Sequence, residues 1–372
     1  MLASLARYPT FQVFLTLSAA VALVATLTPA LIAFLKSRGI GQQIRADGVQ
    51  EHLVKSGTPT MGGVVVLLVA MLLFVAMILF AHPSATSASP KRIEAFNHGI
   101  RAAITVLVCM QGCGLLGFVD DLIKVAYKRS LGLSPRAKIA GQLAIATTTT
   151  LLAVNWVGIS ADLRIPMTRV IIPLSAVSTR VPFPAILGGQ LVIPWLYLLF
   201  ALVMILGLSN AVNLTDGLDG LAAGAVTIVM LVFGAIAYRE NSLPLALVAA
   251  AIAGGCIGFL WWNCYPADIF MGDTGSLGLG GAVAAIAMVT KMELLVLIIG
   301  GIFVIEALSV VIQVLVFKRT RKRVFKMAPI HHHFEMCGWS ETKIMVRFWI
   351  ITGCLAALGF ALFFYQNAKI GI

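Results

Sequence analysis

Charge is what this sequence has least of. Only 11% of its 372 residues are Asp, Glu, Lys or Arg, where a soluble domain carries about 25%. So few ionic groups cannot cover a globular surface in water. The composition is instead 60% hydrophobic, with a mean hydropathy of +0.98. Cysteine is scarce as well. The six cysteines form no CxxC pair, and Cys109, Cys113, Cys256 and Cys354 lie in or near apolar runs, where a thiol is a small hydrophobe. That leaves no disulfide framework and no zinc site. There is no P-loop. A GxGxxG string does occur, Gly112-Cys113-Gly114-Leu115-Leu116-Gly117, but no strand precedes it and no βαβ unit surrounds it, which excludes a dinucleotide site. Small residues inside a membrane helix mark close helix packing instead.

What is present is a series of apolar runs. Stretches long enough to span a bilayer, at about 20 residues each, fall near 11–35, 62–81, 102–119, 139–158, 191–209, 221–238, 244–262, 276–290, 294–317 and 344–366. The expected fold is an all-α polytopic integral membrane protein of about ten transmembrane helices, one transmembrane domain over 1–372, with no room for a large soluble domain. The first run is too long for a signal-peptide core and reads as a retained helix. The run at 276–290 is short and glycine-rich, so its ends are ill-defined. The segment 159–190, with short runs such as Arg169-Val170-Ile171-Ile172-Pro173, reads as a small hairpin on the membrane surface.

Basic residues are unevenly placed. One set of alternate loops holds Lys36, Arg38, Arg45, Lys55, then Lys124, Lys128, Arg129, Arg136, Lys138, then Lys318, Arg319, Arg321, Lys322, Arg323, Lys326 and Lys343. The positive-inside rule makes that set cytoplasmic. The cytoplasmic loops are then about 36–61, 120–138, 210–220, 261–276 and 318–343, and both termini lie on the periplasmic side. The acidic motifs fall on the same basic face, which predicts a site there for an anionic, metal-bound ligand.

Three acidic edges stand out. Asn213-Leu214-Thr215-Asp216-Gly217-Leu218-Asp219-Gly220 sits between two apolar runs. Asp216 and Asp219, three apart, face the same way on a helical turn, and the glycines let a ligand approach. Asp120-Asp121 ends the third run, where carboxylates oppose the helix macrodipole unless a cation is near; a solvated pair neutralised by Lys124 and Lys128 is the plain alternative. Phe270-Met271-Gly272-Asp273-Thr274-Gly275-Ser276 opens another run, whose exposed amides favour anions; there Asp273 serves as ligand or as simple N-cap. Lys55-Ser56-Gly57-Thr58-Pro59-Thr60-Met61-Gly62-Gly63 reads either as a phosphate contact or as a turn capped near Thr60. Trp261 and Trp262 have a ready reading as interfacial anchors.

Two further features belong to the C-terminal third. Glu306 falls near the middle of 294–317, and a mid-membrane carboxylate is a functional candidate by default, although a protonated, packed glutamate also fits. Gln313 lies about two turns on. The last basic loop continues into Ala328-Pro329-Ile330-His331-His332-His333-Phe334-Glu335. In an extended segment His331 and His333 share a face. With no cysteine suitably near, the histidines read as donors to phosphate or sugar oxygens.

Asn213–Ala222, Phe270–Leu277, the Asp120-Asp121 pair, Gly57–Gly63 and Ala328–Glu335 together resemble the polyprenyl-phosphate N-acetylhexosamine-1-phosphate transferases, and within them the bacterial cell-wall branch. The likeness runs the whole chain. It implies that phospho-MurNAc-pentapeptide passes from UDP-MurNAc-pentapeptide to undecaprenyl phosphate, giving lipid I and UMP in peptidoglycan synthesis. It implies Mg²⁺ as cofactor, a homodimer, the bacterial inner membrane as location and no nucleic-acid partner. By motif, Asp273 resembles the magnesium ligand, and Asp120 and Asp121 the catalytic pair. Asn213, Asp216, Asp219 and Phe270 resemble nucleotide-site residues, and His331, His332 and His333 the loop that closes over the substrate, with His332 counted among the catalytic residues. Lys55, Lys124, Lys128 and Gln313 are assigned to substrate binding. Direct attack by the lipid phosphate and a covalent aspartyl-phosphate on Asp120 both remain open. A sibling GlcNAc-1-phosphate transferase is the nearest alternative function. An anion transporter is the more distant one, and the internal repeat expected of it is not evident.

Overall fold

A computed structural model describes residues 8–41, 57–81, 89–127, 131–182 and 189–370. Its helices are α1 (Pro9–Ser37), α2 (Gly63–Ala81), α3 (Pro90–Ala126), α4 (Pro135–Leu152), α5 (Trp195–Thr215), α6 (Leu221–Arg239), α7 (Leu243–Asn263), α8 (Gly272–Val289), α9 (Val296–Ile299), α10 (Gly301–Thr320), α11 (Ile330–Glu335) and α12 (Glu341–Ile370). Ten of the described helices are long and apolar enough to cross a membrane, as the apolar runs predict. Proline stands in the first turn of α1, α3, α4 and α7, where its missing N–H is not needed and its fixed φ favours the helix.

The bundle is built around α8. In its most apolar window 89% of residues are buried, against 28% for α10 and α12. α3, α5, α2 and α6 pack directly on α8, with α1 and α7 as neighbours beyond. The glycines that blurred this helix in the sequence are what allow it to be surrounded, because backbones can approach where side chains are minimal. The same logic explains the rejected GxGxxG string. A Cβ placed on Gly117 would lie 2.1 Å from the carbonyl oxygen of Asp273. Backbone of α3 thus touches backbone of α8 one turn before Asp120.

Gly117→Ala is therefore expected to force these helices apart. Overpacking of this kind costs about 1–3 kcal/mol, visible as a lower melting midpoint in detergent. Turnover should fall with it, because Asp273 is the residue displaced. An unchanged midpoint would contradict this packing.

Three differences from the expected spans are informative. The helix bearing Asp120 and Asp121 does not end at them; α3 runs 37 residues to Ala126. Its early turns were hidden by Lys91, Arg92, Glu94 and Arg101, which break the apolar window. α8 begins earlier than 276, at Gly272. The run 294–317 is not one helix: α9 is four residues long, and Gly300 leaves helical geometry (φ −99°, ψ 27°) before α10 begins. Between α4 and α5 lie two short antiparallel hairpins, β1 (Leu163–Arg164) with β2 (Ile171–Ile172) and β3 (Ser178–Pro182) with β4 (Gln190–Pro194). The surface hairpin expected in this segment is thus two.

Candidate active site

At one end of the bundle α3, α4, α5 and α8 bring opposite charges together. Asp120 and Asp121, near the C-terminus of α3, are each 3% exposed. Asp273 occupies the first turn of α8. One ligand oxygen from each of the three lies within 4.8 Å of the others. The ammonium of Lys124 is lodged among them, 2.7 Å from Asp120, 3.1 Å from Asp273 and 3.6 Å from Asp121. Lys138, from the first turns of α4, reaches Asp273 Oδ2 at 2.7 Å. Asn213 of α5 donates to Asp273 Oδ1 at 2.9 Å and to Ser276 Oγ at 2.8 Å.

The two neighbouring aspartates have different environments. Asp121 accepts the backbone N–H of Asp273 at 3.2 Å, the N–H of Thr274 at 2.9 Å and the Thr274 hydroxyl at 2.8 Å. It is an N-cap for α8 supplied from another helix. Its charge opposes the macrodipole of α3 but favours that of α8, which explains how a carboxylate persists at a helix C-terminus. Asp273 is therefore not the cap of its own helix. Asp120 accepts the Leu133 N–H at 2.8 Å through Oδ1, and its Oδ2 meets Lys124.

The donor set fits a hard divalent cation. The atoms are all carboxylate oxygens, with no imidazole or thiol among them. Mg²⁺ is held by one or two carboxylates plus phosphate oxygens and water. With Asp121 committed to the amides of α8, Asp120 and Asp273 are the carboxylates whose present counter-ion is a lysine that an incoming cation can replace.

The other motifs assemble around this cluster. Residues 59–63 run beside 270–271: the Phe270 N–H bonds to Pro59 O at 2.8 Å, the Gly62 N–H to Phe270 O at 2.9 Å and the Gly63 N–H to Met271 O at 2.9 Å. Thr60 is buried there and does not begin α2, which starts at Gly63. Asp216 is half-buried just past α5. Burial, and then the charges of Asp273, Asp121 and Asp219, push its carboxyl well above the usual carboxylate range. Asp219 is buried and accepts the Ala267 N–H at 3.1 Å. Of the two tryptophans, Trp261 is exposed and Trp262 donates to Ala25 O at 2.8 Å, tying α7 to α1. Lys55 and Lys128 lie outside the described residues.

The histidines are arranged differently from the extended reading. Residues 330–335 are helical, so residues two apart diverge by about 200°, and His331 and His333 do not share a face. His331 is fully buried with Nδ1 3.1 Å from Glu306 Oε2. His332 pairs through Nδ1 with Glu335, and His333 Nδ1 accepts the Lys326 N–H at 3.1 Å. Gln313 serves the loop backbone: its Oε1 accepts the Val324 and Phe325 N–H groups, both at 3.0 Å, and its Nε2 donates to Phe325 O at 3.1 Å.

In the sequence Lys138 stands out only as one of the basic loop residues. One signal was available: a lysine in the opening turns of a helix opposes the macrodipole, and such a position asks for a nearby carboxylate. Leu133, which caps Asp120 through its backbone, left no such signal.

Comparison with known proteins fits this geometry. A family model described as Glycosyl transferase family 4 matches residues 103–291, and a phospho-N-acetylmuramoyl-pentapeptide-transferase signature matches residues 55–67. The chain is 43% identical over 355 residues to the phospho-N-acetylmuramoyl-pentapeptide-transferase of Rubrobacter xylanophilus, covering 95% of this chain and 98% of that one. It is 43% identical over 370 residues to that of Frankia alni, covering 94% and 97%. It is 45% identical over 334 residues to that of Bacillus anthracis, covering 90% and 92%.

Proposed function

The chain belongs to the phospho-N-acetylmuramoyl-pentapeptide transferases of glycosyl transferase family 4, and on that footing we propose that the cluster of Asp120, Asp121 and Asp273 is where it joins its two substrates. The protein is a multi-pass membrane phosphosugar transferase of peptidoglycan synthesis. The substrates are UDP-MurNAc-pentapeptide and undecaprenyl phosphate, and the products are lipid I and UMP. A lipid-phosphate oxygen attacks the phosphorus that carries the sugar. The P–O bond to UMP breaks as the new one forms.

The observation that carries this reading is the carboxylate–lysine cluster drawn from separate helices at one membrane edge. Mg²⁺ held there by Asp273 and Asp120 would neutralise the diphosphate and the leaving UMP. Lys124 and Lys138, now paired with these carboxylates, are placed to offer their ammonium groups to phosphate oxygens once a cation would take their place. Asn213 keeps Asp273 oriented through the bond to its Oδ1. Asp121 holds the first turn of α8 so that Asp273 stays in register with α3.

Direct attack is favoured over a covalent intermediate. Oδ1 of Asp120 accepts the Leu133 N–H, Oδ2 faces Lys124 at the place a cation would take, and Gly132 lies close enough that a Cβ there would be 2.5 Å from the carboxylate. Such a group orients an incoming phosphate better than it attacks one. A phosphate monoester has a second pKa near 6 by analogy with phosphorylated side chains, so at neutral pH the lipid phosphate is mostly dianionic and needs little help from a base. Asp216, Asp219 and Phe270 line the uridine side, and the loop bearing His331, His332 and His333 covers the sugar phosphate. Lys55 and Lys128 are read as further substrate contacts, and Gln313, whose Oε1 and one N–H hold residues 324–325, has one amide N–H left for the substrate.

The test is UMP release from UDP-sugars by purified protein with a polyprenyl phosphate. UDP-MurNAc-pentapeptide should turn over and UDP-GlcNAc should not; the reverse preference would reassign the chain to the sibling GlcNAc-1-phosphate activity.

The cluster is assigned to the cytoplasmic face of the bacterial inner membrane, with both termini periplasmic, as the lysine and arginine distribution predicts. The 372 residues act as one transferase domain, and the working unit is a homodimer in the bilayer. Cys337 is exposed in the 318–343 loop, and Thr168 is exposed between β1 and β2. In a background otherwise free of cysteine, an impermeant thiol reagent should miss Cys337 in intact cells and label Thr168→Cys. Labelling of Cys337 alone would invert the topology and place the site where no UDP-sugar is found.

A further inference from the structure

Glu306 is a carboxylate that the transfer chemistry leaves unused. The sequence puts it mid-membrane. In the structure it is one imidazole ring away from the 213–220 turn. His331 is 3.1 Å from it through Nδ1. On the far side of that ring, a Cβ built on Gly217 would stand 2.3 Å from Nε2. Both side chains are completely buried. Two atoms of the pair, Glu306 Oε1 and His331 Nε2, find no protein hydrogen-bond partner among the described residues.

Buried polar atoms without partners are costly, and a native protein that keeps two on one pair calls for an explanation. Packing does not supply one, since a methionine–phenylalanine contact would join α10 to α11 without that cost. The neighbouring histidines suggest what does. His332 and His333 also have Nδ1 occupied, by Glu335 and by the Lys326 amide. Across the helix, Nδ1 is the tethered nitrogen. In the metal-binding histidines of other proteins, a carboxylate on one ring nitrogen fixes the ring and sets what the other nitrogen presents; the same physics holds for a histidine that binds a phosphate.

We infer that Glu306 is a positioning residue for His331: it holds Nδ1 so that Nε2 is presented, past Gly217, to the substrate bound along the 213–220 turn. The ligand chemistry is an anionic or hydroxyl oxygen of the sugar nucleotide, which completes the ring's hydrogen bonding. Gly217 must lack a side chain for the ring to lie there. The inference rests on the reading of His331 as a substrate contact. It assigns Glu306 no contact with substrate itself.

A double-mutant cycle on kcat/KM for UDP-MurNAc-pentapeptide tests it, with the full-length protein in detergent. Glu306→Ala should cost roughly ten- to a hundredfold, the range of one hydrogen bond to a charged group. In a His331→Ala background the same change should cost less than about twofold, since a residue acting only through another loses its effect when that partner is gone. Glu306→Gln, which still accepts from Nδ1–H, should recover most of the loss. Should Glu306→Ala fail to fold, Glu306→Met, which fills the same space but cannot accept from Nδ1–H, carries the same comparison in the two backgrounds. Equal losses in both backgrounds, or no recovery by Gln alongside a lowered melting midpoint, would make the pair a structural tether and overturn the inference. A His331→Ala variant with undiminished kcat/KM would remove the histidine reading itself, and the inference with it; that outcome is read from the single variant alone.

Discussion

Replacing Asp273 by Asn is expected to lower turnover at least about a thousandfold, equivalent to roughly 4 kcal/mol of transition-state stabilisation. The substitution preserves size, helical position and a polar contact to Asn213. It removes the one carboxylate in the cluster that two lysines from different helices converge on. A divalent cation then has a single available carboxylate, Asp120, and the developing charge on UMP loses most of its compensation. The measurement is UMP release across a magnesium titration, with the melting midpoint recorded alongside. Turnover within tenfold of the parent protein, at unchanged magnesium dependence, would remove Asp273 from the role of principal ligand.

Asp121→Asn should be nearly as damaging, by a different route. Asp121 Oδ2 accepts from both the N–H and the hydroxyl of Thr274, and Oδ1 accepts from the N–H of Asp273. An amide in this position brings its NH₂ against a donor on at least one side. Leaving a buried charged network short of one member costs about 3–5 kcal/mol, so the first turn of α8 should loosen and the melting midpoint should drop. Turnover should fall at least about a hundredfold, which corresponds to 2.7 kcal/mol, because Asp273 is carried on that turn. The magnesium concentration for half-maximal rate should scarcely move. A large rise in that concentration with an unaltered midpoint would instead make Asp121 a metal ligand.

These two neighbours mark the limit of what a single chain of letters displays. Asp120-Asp121 and Asp273 are conspicuous because acidic residues are rare here and helix packing does not require them. Their division of labour depends on which oxygen meets which amide from a helix about 150 residues later, and nothing local encodes that. The apolar runs were legible for the same reason that the bilayer selects them: about 20 residues without charge. α3 was under-read because its first turns carry charge, and α8 because glycine lowers its apolar signal while improving its packing. Glu306 showed as an anomaly by its residue type alone; its partner, 25 residues on, did not. Three consecutive histidines fit a strand's period as well as a helical turn, and only the turn buries His331 and turns His333 away from it.

With Lys124 lodged among three carboxylates, the resting site carries its own counter-ion. Three carboxylates against Lys124 and Lys138 leave a single net negative charge. A divalent cation arriving alone must displace the ammonium of Lys124 from Asp120 and Asp273, leaving it only the longer 3.6 Å contact to Asp121. A diphosphate arriving alone faces carboxylates. Arriving together, each would provide the charge the other displaces, with phosphate oxygens available to the lysines in place of the carboxylates. The two affinities are therefore thermodynamically linked, and the linkage is reciprocal: whatever factor the sugar nucleotide adds to magnesium binding, magnesium adds to nucleotide binding. On this charge count such a site would act as a coincidence detector, binding cation and nucleotide more firmly as a pair than either by itself.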